Sequence, residues 1–99
     1  MDLIDAIIEN NTEMVKELLQ NGADPNVYLD DAMVRPLHFA AQDNRVEIGQ
    51  LLITHGADLG AYTYPEKLTP LDIAKLHGHE EFVELLMQSH NDLSGSHPV

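Results

Sequence analysis

The segment Pro-Leu-His-Phe-Ala at 36–40 decides the fold, because it returns as Pro-Leu-Asp-Ile-Ala at 70–74. A second motif, Asn-Gly-Ala-Asp at 21–24, returns as His-Gly-Ala-Asp at 55–58. Both pairs are 34 residues apart, and a fixed period of this length is typical of architectures built from stacked structural repeats. The sequence therefore contains three copies of one unit, at about 1–34, 35–68 and 69–93.

Each copy has the pattern of two short helices joined by a turn. Pro36 and Pro70 stand at first helical positions, where the missing N–H is tolerated, and Thr69 is a suitable N-cap. Apolar residues at i, i+3 and i+4 then mark one buried stripe of the second helix. These patterns predict helix pairs over 2–9 and 12–21, 36–43 and 46–55, and 70–77 and 80–89. Residues that tolerate positive φ should end these helices: Asn10, Asn44 and Gly78 the first helices, Gly22 and Gly56 the second.

Two motifs in register resemble those of the ankyrin-repeat family. Residues 35–41, Arg-Pro-Leu-His-Phe-Ala-Ala, resemble its Thr-Pro-Leu-His-x-Ala-Ala signature, and residues 51–58 resemble its Leu-Leu-Leu-x-x-Gly-Ala-Asp motif. Tetratricopeptide repeats share the period, but their tryptophan, Leu-Gly and tyrosine positions are absent. The resemblance implies an all-α ankyrin-repeat solenoid of three stacked helix-turn-helix repeats with projecting hairpin loops, over residues 1–93. The small polar segment 94–99 is expected to be a disordered tail.

The sequence departs from the family pattern in the projecting loops, which we call finger one (27–34) and finger two (61–68). The usual Asp-Gly of the tip is missing from both, and the residues present supply positive φ poorly. We therefore expect fingers that are longer or irregular in shape. Arg35 stands where a capping threonine is usual and Asp72 where histidine is usual, so these two turns should be held differently.

Gly49 interrupts the second helix of the middle copy, at a position that is valine in the other two copies. A glycine inside a helix costs about 0.5–1 kcal/mol relative to alanine. We interpret the position as unoptimised and expect Gly49→Ala to raise the melting temperature.

Composition limits the functions open to this chain. Lys and Arg number 5 against 17 Asp and Glu, for a formal charge of −12, which disfavours nucleic acid and anionic membranes and attracts basic proteins. The absence of cysteine excludes disulfides, thiol catalysis and Cys-based metal sites. No apolar run approaches the roughly 20 residues of a membrane span. Because no export signal is recognisable, the expected location is the cytoplasm.

Histidines and carboxylates are the candidates for catalytic or metal chemistry. The side chains of His77 and His79 are expected to point in different directions across the turn at Gly78, which disfavours a metal site. His38 belongs to the signature turn and should hydrogen-bond to backbone. No phosphate loop, nucleophile elbow or dinucleotide fingerprint appears. We therefore expect no metal, no cofactor and no enzymatic activity.

The resemblance implies a protein-binding surface made by the first helices and the fingers. In such repeats the residue after Leu-His and the two after Ala-Ala point into a concave groove. Aromatic and methionine side chains within an acidic rim are typical of a protein interface. Transferred to this sequence, the predicted partner-binding residues are Asp5, Ile8, Glu9, Tyr28, Asp30, Asp31, Met33, Phe39, Gln42, Asp43, Tyr62, Tyr64, Ile73, Leu76 and His77. The alternative is that Phe39, Ile73 and Leu76 merely pack the fingers against the helices.

The favoured function is therefore a non-enzymatic adaptor or inhibitor that binds another, basic protein, with Phe39 and Tyr64 as its anchors. The alternative is a self-associating structural subunit, because the third copy is rich in apolar residues. In that case the chain would form a weak homodimer rather than a monomer, through Phe82, Leu85 and Met87.

Overall fold

The computed structural model of the protein describes residues 2–28 and 31–95, with side chains as far as Ser89. Within these residues the secondary structure consists of six α-helices and no strand. The helices are α1 (Leu3–Ile8), α2 (Thr12–Gln20), α3 (Pro36–Gln42), α4 (Val46–Thr54), α5 (Pro70–Leu76) and α6 (Glu80–Gly95). Apart from the end of α6, every predicted helix begins and ends within one residue of the observed bounds.

The last helix is longer than its sequence pattern indicates. α6 continues to Gly95 and so includes Ser94 and Gly95, for which the sequence predicts a disordered tail. The remainder of that segment, residues 96–99, lies outside the described residues.

The helices end where the sequence predicts a left-handed residue. Asn10, Asn44 and Gly78 follow the first helices with φ of 55°, 54° and 68°, and Gly22 and Gly56 follow the second helices with φ of 96°. A residue in this conformation stops the helical hydrogen-bond ladder and turns the chain. The predicted terminators are therefore confirmed.

The first turns of α3 and α5 are held by different bonds, as the two departures from the family signature predict. The hydroxyl of Thr69 accepts from the N–H of Asp72 at 3.2 Å, and a carboxylate oxygen of Asp72 accepts from the N–H of Thr69 at 3.0 Å. This reciprocal pair is a capping box. Before α3, the N–H of Arg35 donates to Nδ1 of His38 at 3.0 Å, while the Arg35 side chain does not cap the helix.

The six helices form a two-layer stack. The first helices pack side by side, α1 against α3 and α3 against α5, and the second helices follow the same order. Helices this short are not stable alone, so each depends on apolar side chains that contribute about 1.5–3 kcal/mol when fully buried. The largest of these in the core are Ile7, Val15, Leu37, Ile48, Leu52 and Phe82. The predicted stack of three helix pairs is confirmed.

Gly49 makes room for a phenylalanine of the next repeat. A Cβ atom on Gly49 would lie 2.7 Å from Cε2 and Cζ of Phe82 and 3.1 Å from Cδ2 of Leu85. Phe82 is fully buried, so its ring cannot move out into solvent to make room. The interpretation of Gly49 as an unoptimised position is therefore wrong, because the missing Cβ is what lets α6 approach α4.

The same packing removes the predicted dimer contact. Phe82 and Leu85 are 0% and 8% exposed because both point towards α4. Phe82 is therefore not available to a second copy, and Leu85 offers it little surface. Of the three residues in that prediction, only Met87 is exposed.

Both fingers are irregular, as predicted. Their described residues contain turns and no strand, and finger two is closed by hydrogen bonds from Thr63 N to Leu68 O and from Lys67 N to Thr63 O, at 2.9 and 2.8 Å. The Tyr64–Pro65 peptide bond is cis. Met33 and Lys67, which are repeat equivalents, both have φ of 58° despite carrying a Cβ.

Replacing Lys67 with glycine should stabilise the protein by about 0.5–1 kcal/mol. The left-handed conformation costs an L-residue about 1–2 kcal/mol, of which the greater chain entropy of glycine offsets a part. Urea unfolding at moderate salt measures the change. Lys67→Ser is the matched control, since it removes the same charge but keeps the Cβ, and it should gain nothing. A lower urea midpoint for Lys67→Gly than for Lys67→Ser would contradict the prediction.

Candidate functional site

Side-by-side packing of α1, α3 and α5 places repeat-equivalent residues in rows across the stack. The predicted groove positions, 34 residues apart, give three such rows. The first row is Asp5, Phe39 and Ile73, the second is Ile8, Gln42 and Leu76, and the third is Glu9, Asp43 and His77.

Along the first row, the side chains become more buried from α1 to α5. Asp5 is exposed, Phe39 is half-buried and packs against the core, and Ile73 is 8% exposed within the core itself. The repeat position alone does not decide how far a side chain is buried. At the edge of a helix face, burying an apolar side chain lowers the free energy, whereas a carboxylate stays in water. Ile73 therefore packs the fold, as the alternative interpretation has it, and Phe39 is only partly available to a partner.

All six residues of the second and third rows are exposed. Ile8 and Leu76 are 53% and 71% exposed. Glu9 and Asp43 place negative charge beside them. These two rows have the apolar and acidic character that the sequence predicts for the whole groove.

Leu76 also connects α5 with finger two. A shallow groove of about 330 Å³ lies between Leu68, at the end of the finger, and Asp72, Lys75 and Leu76 of α5. The second row therefore adjoins finger two at Leu76.

The fingers present three tyrosines to solvent. Tyr28, Tyr62 and Tyr64 are 53%, 50% and 55% exposed, and the first two are repeat equivalents. The N–H of Tyr64 donates to the carbonyl of Ala32 at 2.8 Å, which joins finger two to finger one. Of the other predicted finger residues, Asp31 is exposed and Met33 is partly buried, while Asp30 lies outside the described residues.

His38 fixes finger two against α3. Its Nε2–H donates to the carbonyls of Ala61 and Leu68, both at 3.1 Å, while its Nδ1 accepts from Arg35. Burial lowers the pKa of His38 and the charge of Arg35 adds to this effect, while the two carbonyls oppose it. The expected backbone hydrogen bonds are confirmed, and they position the loop that carries Tyr62 and Tyr64.

Asn26 is a structural residue that sequence reasoning missed. Its Nδ2 donates to Gly56 O at 3.1 Å and its Oδ1 accepts from Asp58 N at 2.7 Å, which ties the residue just before finger one to the turn of the following repeat. Its own carbonyl accepts from Nη1 of Arg35 at 2.9 Å. The only available signal was a difference between copies, because the equivalent position is Gly60 and carries no side chain.

Arg35 also supports the first tyrosine of the fingers. Its guanidinium carbon lies 5.3 Å from the centre of the Tyr28 ring, within the range of a cation–π contact. The residue that departs from the usual threonine therefore holds finger one rather than capping α3.

His77 and His79 differ from the sequence prediction. Their rings stack with centroids 5.7 Å apart and planes at 17°, instead of pointing in different directions. Nε2 of His79 donates to the carbonyl of Gln42 at 2.9 Å, which links α3 to the turn before α6. Among the described residues no group of three or more His, Asp or Glu side chains is arranged to hold a metal ion.

The comparisons with known proteins agree with this architecture. Within the described part of the chain, no helix is both long and apolar enough to cross a membrane. A search of the curated proteins found no significant match. The family model of ankyrin repeats, in three copies, matches residues 3–95. The chain therefore belongs to the ankyrin-repeat family, whose members are in general protein–protein interaction modules and typically non-catalytic.

Proposed function

We propose that the protein binds a basic protein, as a non-enzymatic adaptor or inhibitor, through one continuous surface. This surface, the groove surface, consists of the exposed second and third rows together with the three finger tyrosines. One observation carries the proposal. The described residues expose seven large hydrophobic side chains, and five of them lie on this surface: Ile8, Tyr28, Tyr62, Tyr64 and Leu76.

The charge of the groove surface indicates the kind of partner. Asp5, Glu9 and Asp43 lie beside the exposed aliphatic residues, and Asp31 and Glu66 lie in the fingers. Carboxylates at the rim of an interface steer a basic partner and raise its association rate, whereas a few desolvated anchors supply most of the affinity. Tyrosine faces can also receive Arg or Lys side chains.

Leu76 and Tyr64 are the anchors that the exposures support. Phe39 is already half-packed against the core, so truncating it would disturb the fold as well as the groove surface. Leu76 is 71% and Tyr64 is 55% exposed, so each can lose its side chain with little effect on stability.

Replacing Leu76 with aspartate or Tyr64 with alanine should weaken partner binding about tenfold or more, the scale of an interface anchor. The wild-type chain is used as bait for affinity capture from the source cells, and the captured protein is then tested with each variant by stopped flow. Dissociation should accelerate in both variants. Gln20→Ala, at an exposed position on α2, is the control and should bind as the wild type does.

Salt dependence tests the charge of the partner separately. Raising salt from about 50 to 500 mM should slow association severalfold by screening exposed charges. A captured partner with an acidic surface, a salt-independent association rate, or full affinity in both anchor variants would each contradict the proposal.

A further inference from the structure

The far end of the stack exposes positions that the first two repeats cover. Val15 and Leu19 of α2 are 0% and 4% exposed. Their equivalents in α6 are Val83, which is only partly buried, and Met87, which is 52% exposed. Gly49, the equivalent of Val83 in the middle repeat, meets Phe82 of the following repeat, which shows that this position faces along the stack.

Val83 and Met87 line a groove of about 550 Å³ between α5 and α6, which we call the end groove. Ala74, Gly78, Val83 and Met87 form its apolar part, and Glu80 and Glu84 add carboxylates on the α6 side. Lys75 on the α5 side and Gln88 complete the lining, so the groove carries two negative charges and one positive charge. Positions 80, 83, 84 and 87 follow i, i+3, i+4 and i+7 spacing and therefore form one stripe along two turns of α6.

Another repeat of the same kind fits the end groove poorly. Lys75 stands where the middle repeat has Ala41 and the first has Ile7, both fully buried. Covering Lys75 with a further helix pair would remove its charge from water at a cost of several kcal/mol. Glu80 and Glu84 stand where the middle repeat has the partly buried Val46 and the exposed Gln50, so they lie at the edge of this face. A second copy, itself at −12, would add like-charge repulsion.

We propose that the end groove binds a basic amphipathic helix of another protein. Such a helix lays its apolar i, i+3, i+4 stripe along a groove, here over Val83 and Met87, while its Lys or Arg side chains reach Glu80 and Glu84. Methionine suits this contact because its flexible thioether adapts to different apolar side chains. The end groove is a second docking surface, which meets the groove beside Leu76 at Lys75 but contains none of the tyrosines or helix rows of the groove surface.

The test uses a synthetic helical peptide of about 18 residues, long enough to form several turns. Leucines form one face, lysines cover the other, and a scrambled peptide of identical composition is the matched control. Fluorescence anisotropy at about 150 mM salt, where exposed charges are screened beyond about 8 Å, gives both dissociation constants. Amide and methionine-methyl chemical shifts locate the bound peptide.

We expect shifts confined to α5, α6 and the Met87 methyl group, and binding at least about fivefold weaker for the scrambled peptide. Met87→Glu should weaken binding about tenfold or more, with its folding checked by circular dichroism. Glu84→Gln should weaken binding and reduce its dependence on salt. Tyr64→Ala should leave binding unchanged, which separates this site from the groove surface.

Three results would overturn the proposal. One is equal binding of the two peptides, which would show charge attraction without a groove. Another is a set of shifts on Ile8, Tyr62 and Tyr64 in place of α6. The last is a light-scattering mass of a dimer that Met87→Glu dissociates and the peptide fails to displace, because a second copy would then cover the end groove.

Discussion

Replacing Phe82 with alanine should lower the free energy of unfolding by about 3–5 kcal/mol, the range for a fully buried aromatic residue. Phe82 is 0% exposed and connects α6 to α4, so its loss leaves a cavity between the second and third repeats. Stability in a repeat protein depends on contacts between neighbouring repeats. We therefore expect α6 to lose protection from hydrogen exchange before α2 does.

Gly49→Ala is the second arm of the same experiment. Alanine gains about 1 kcal/mol in helix propensity, but overpacking a filled site typically costs about 1–3 kcal/mol. Because the new Cβ would meet the Phe82 ring at 2.7 Å, we expect the net effect in the wild type to be a loss of stability. In the Phe82→Ala background the contact with the ring is gone and Leu85, at 3.1 Å, can shift into the cavity, so the same substitution should stabilise by up to about 1 kcal/mol.

The decisive result is a change of sign, between the two backgrounds, in the effect of Gly49→Ala on the free energy of unfolding. It is obtained from urea unfolding of the two single variants, the double variant and the wild type, as a double-mutant cycle. Gln50→Ala, at an exposed position of the same helix, should be nearly neutral in both backgrounds. A Gly49→Ala protein more stable than the wild type would show that α4 and α6 do not need the missing Cβ.

Acidification should destabilise the protein through His38. Its folded-state pKa lies below the ordinary value because of burial and the charge of Arg35. Protonation would also place an N–H at Nδ1 against the N–H of Arg35, which now donates to that atom. Between the folded pKa and the ordinary value of about 6.5 the unfolded chain binds more protons, so stability is lost as the pH falls through this window. The slope approaches about 1.4 kcal/mol per pH unit for one proton.

His38→Gln is the control, since glutamine keeps an amide donor near Ala61 and Leu68 but does not titrate. Unfolding free energies of both proteins are measured from pH 5 to pH 7.5. The other histidines are present in both chains, so the difference between the two curves isolates His38. The wild type should lose stability relative to the variant below about pH 6.5. Parallel curves would show that His38 is as easily protonated in the folded protein as in the unfolded one.

Much of the fold was predictable because its determinants are local. Pro36 and Pro70 can begin a helix but not continue one, and Asn10 and Asn44 can adopt the left-handed conformation that ends one. These are stereochemical properties of single residues, repeated every 34 positions. They are the reason that nearly every helix bound follows from the sequence.

The candidate site was predictable in outline, through register rather than chemistry. The 34-residue period places Ile8, Gln42 and Leu76 at equivalent positions, and all three are exposed as expected. The period carries no information on how far each side chain turns inwards, which is why Ile73 lies in the core while Asp5 lies in solvent.

Only the tertiary structure decided which residues of different repeats depend on one another. From the sequence alone Gly49 is an unfavourable helix residue, whereas in the structure Phe82 occupies the space that a side chain would need. Asn26 is an ordinary loop residue in the sequence, whereas in the structure its amide is hydrogen-bonded to Gly56 and Asp58. Such contacts depend on the shapes and polar atoms that two distant segments bring together. The pattern of a helix shows which of its side chains must be buried. The residues that bury them or bond to them lie some 30 positions away in the sequence, and only the stacked repeats show which residues these are.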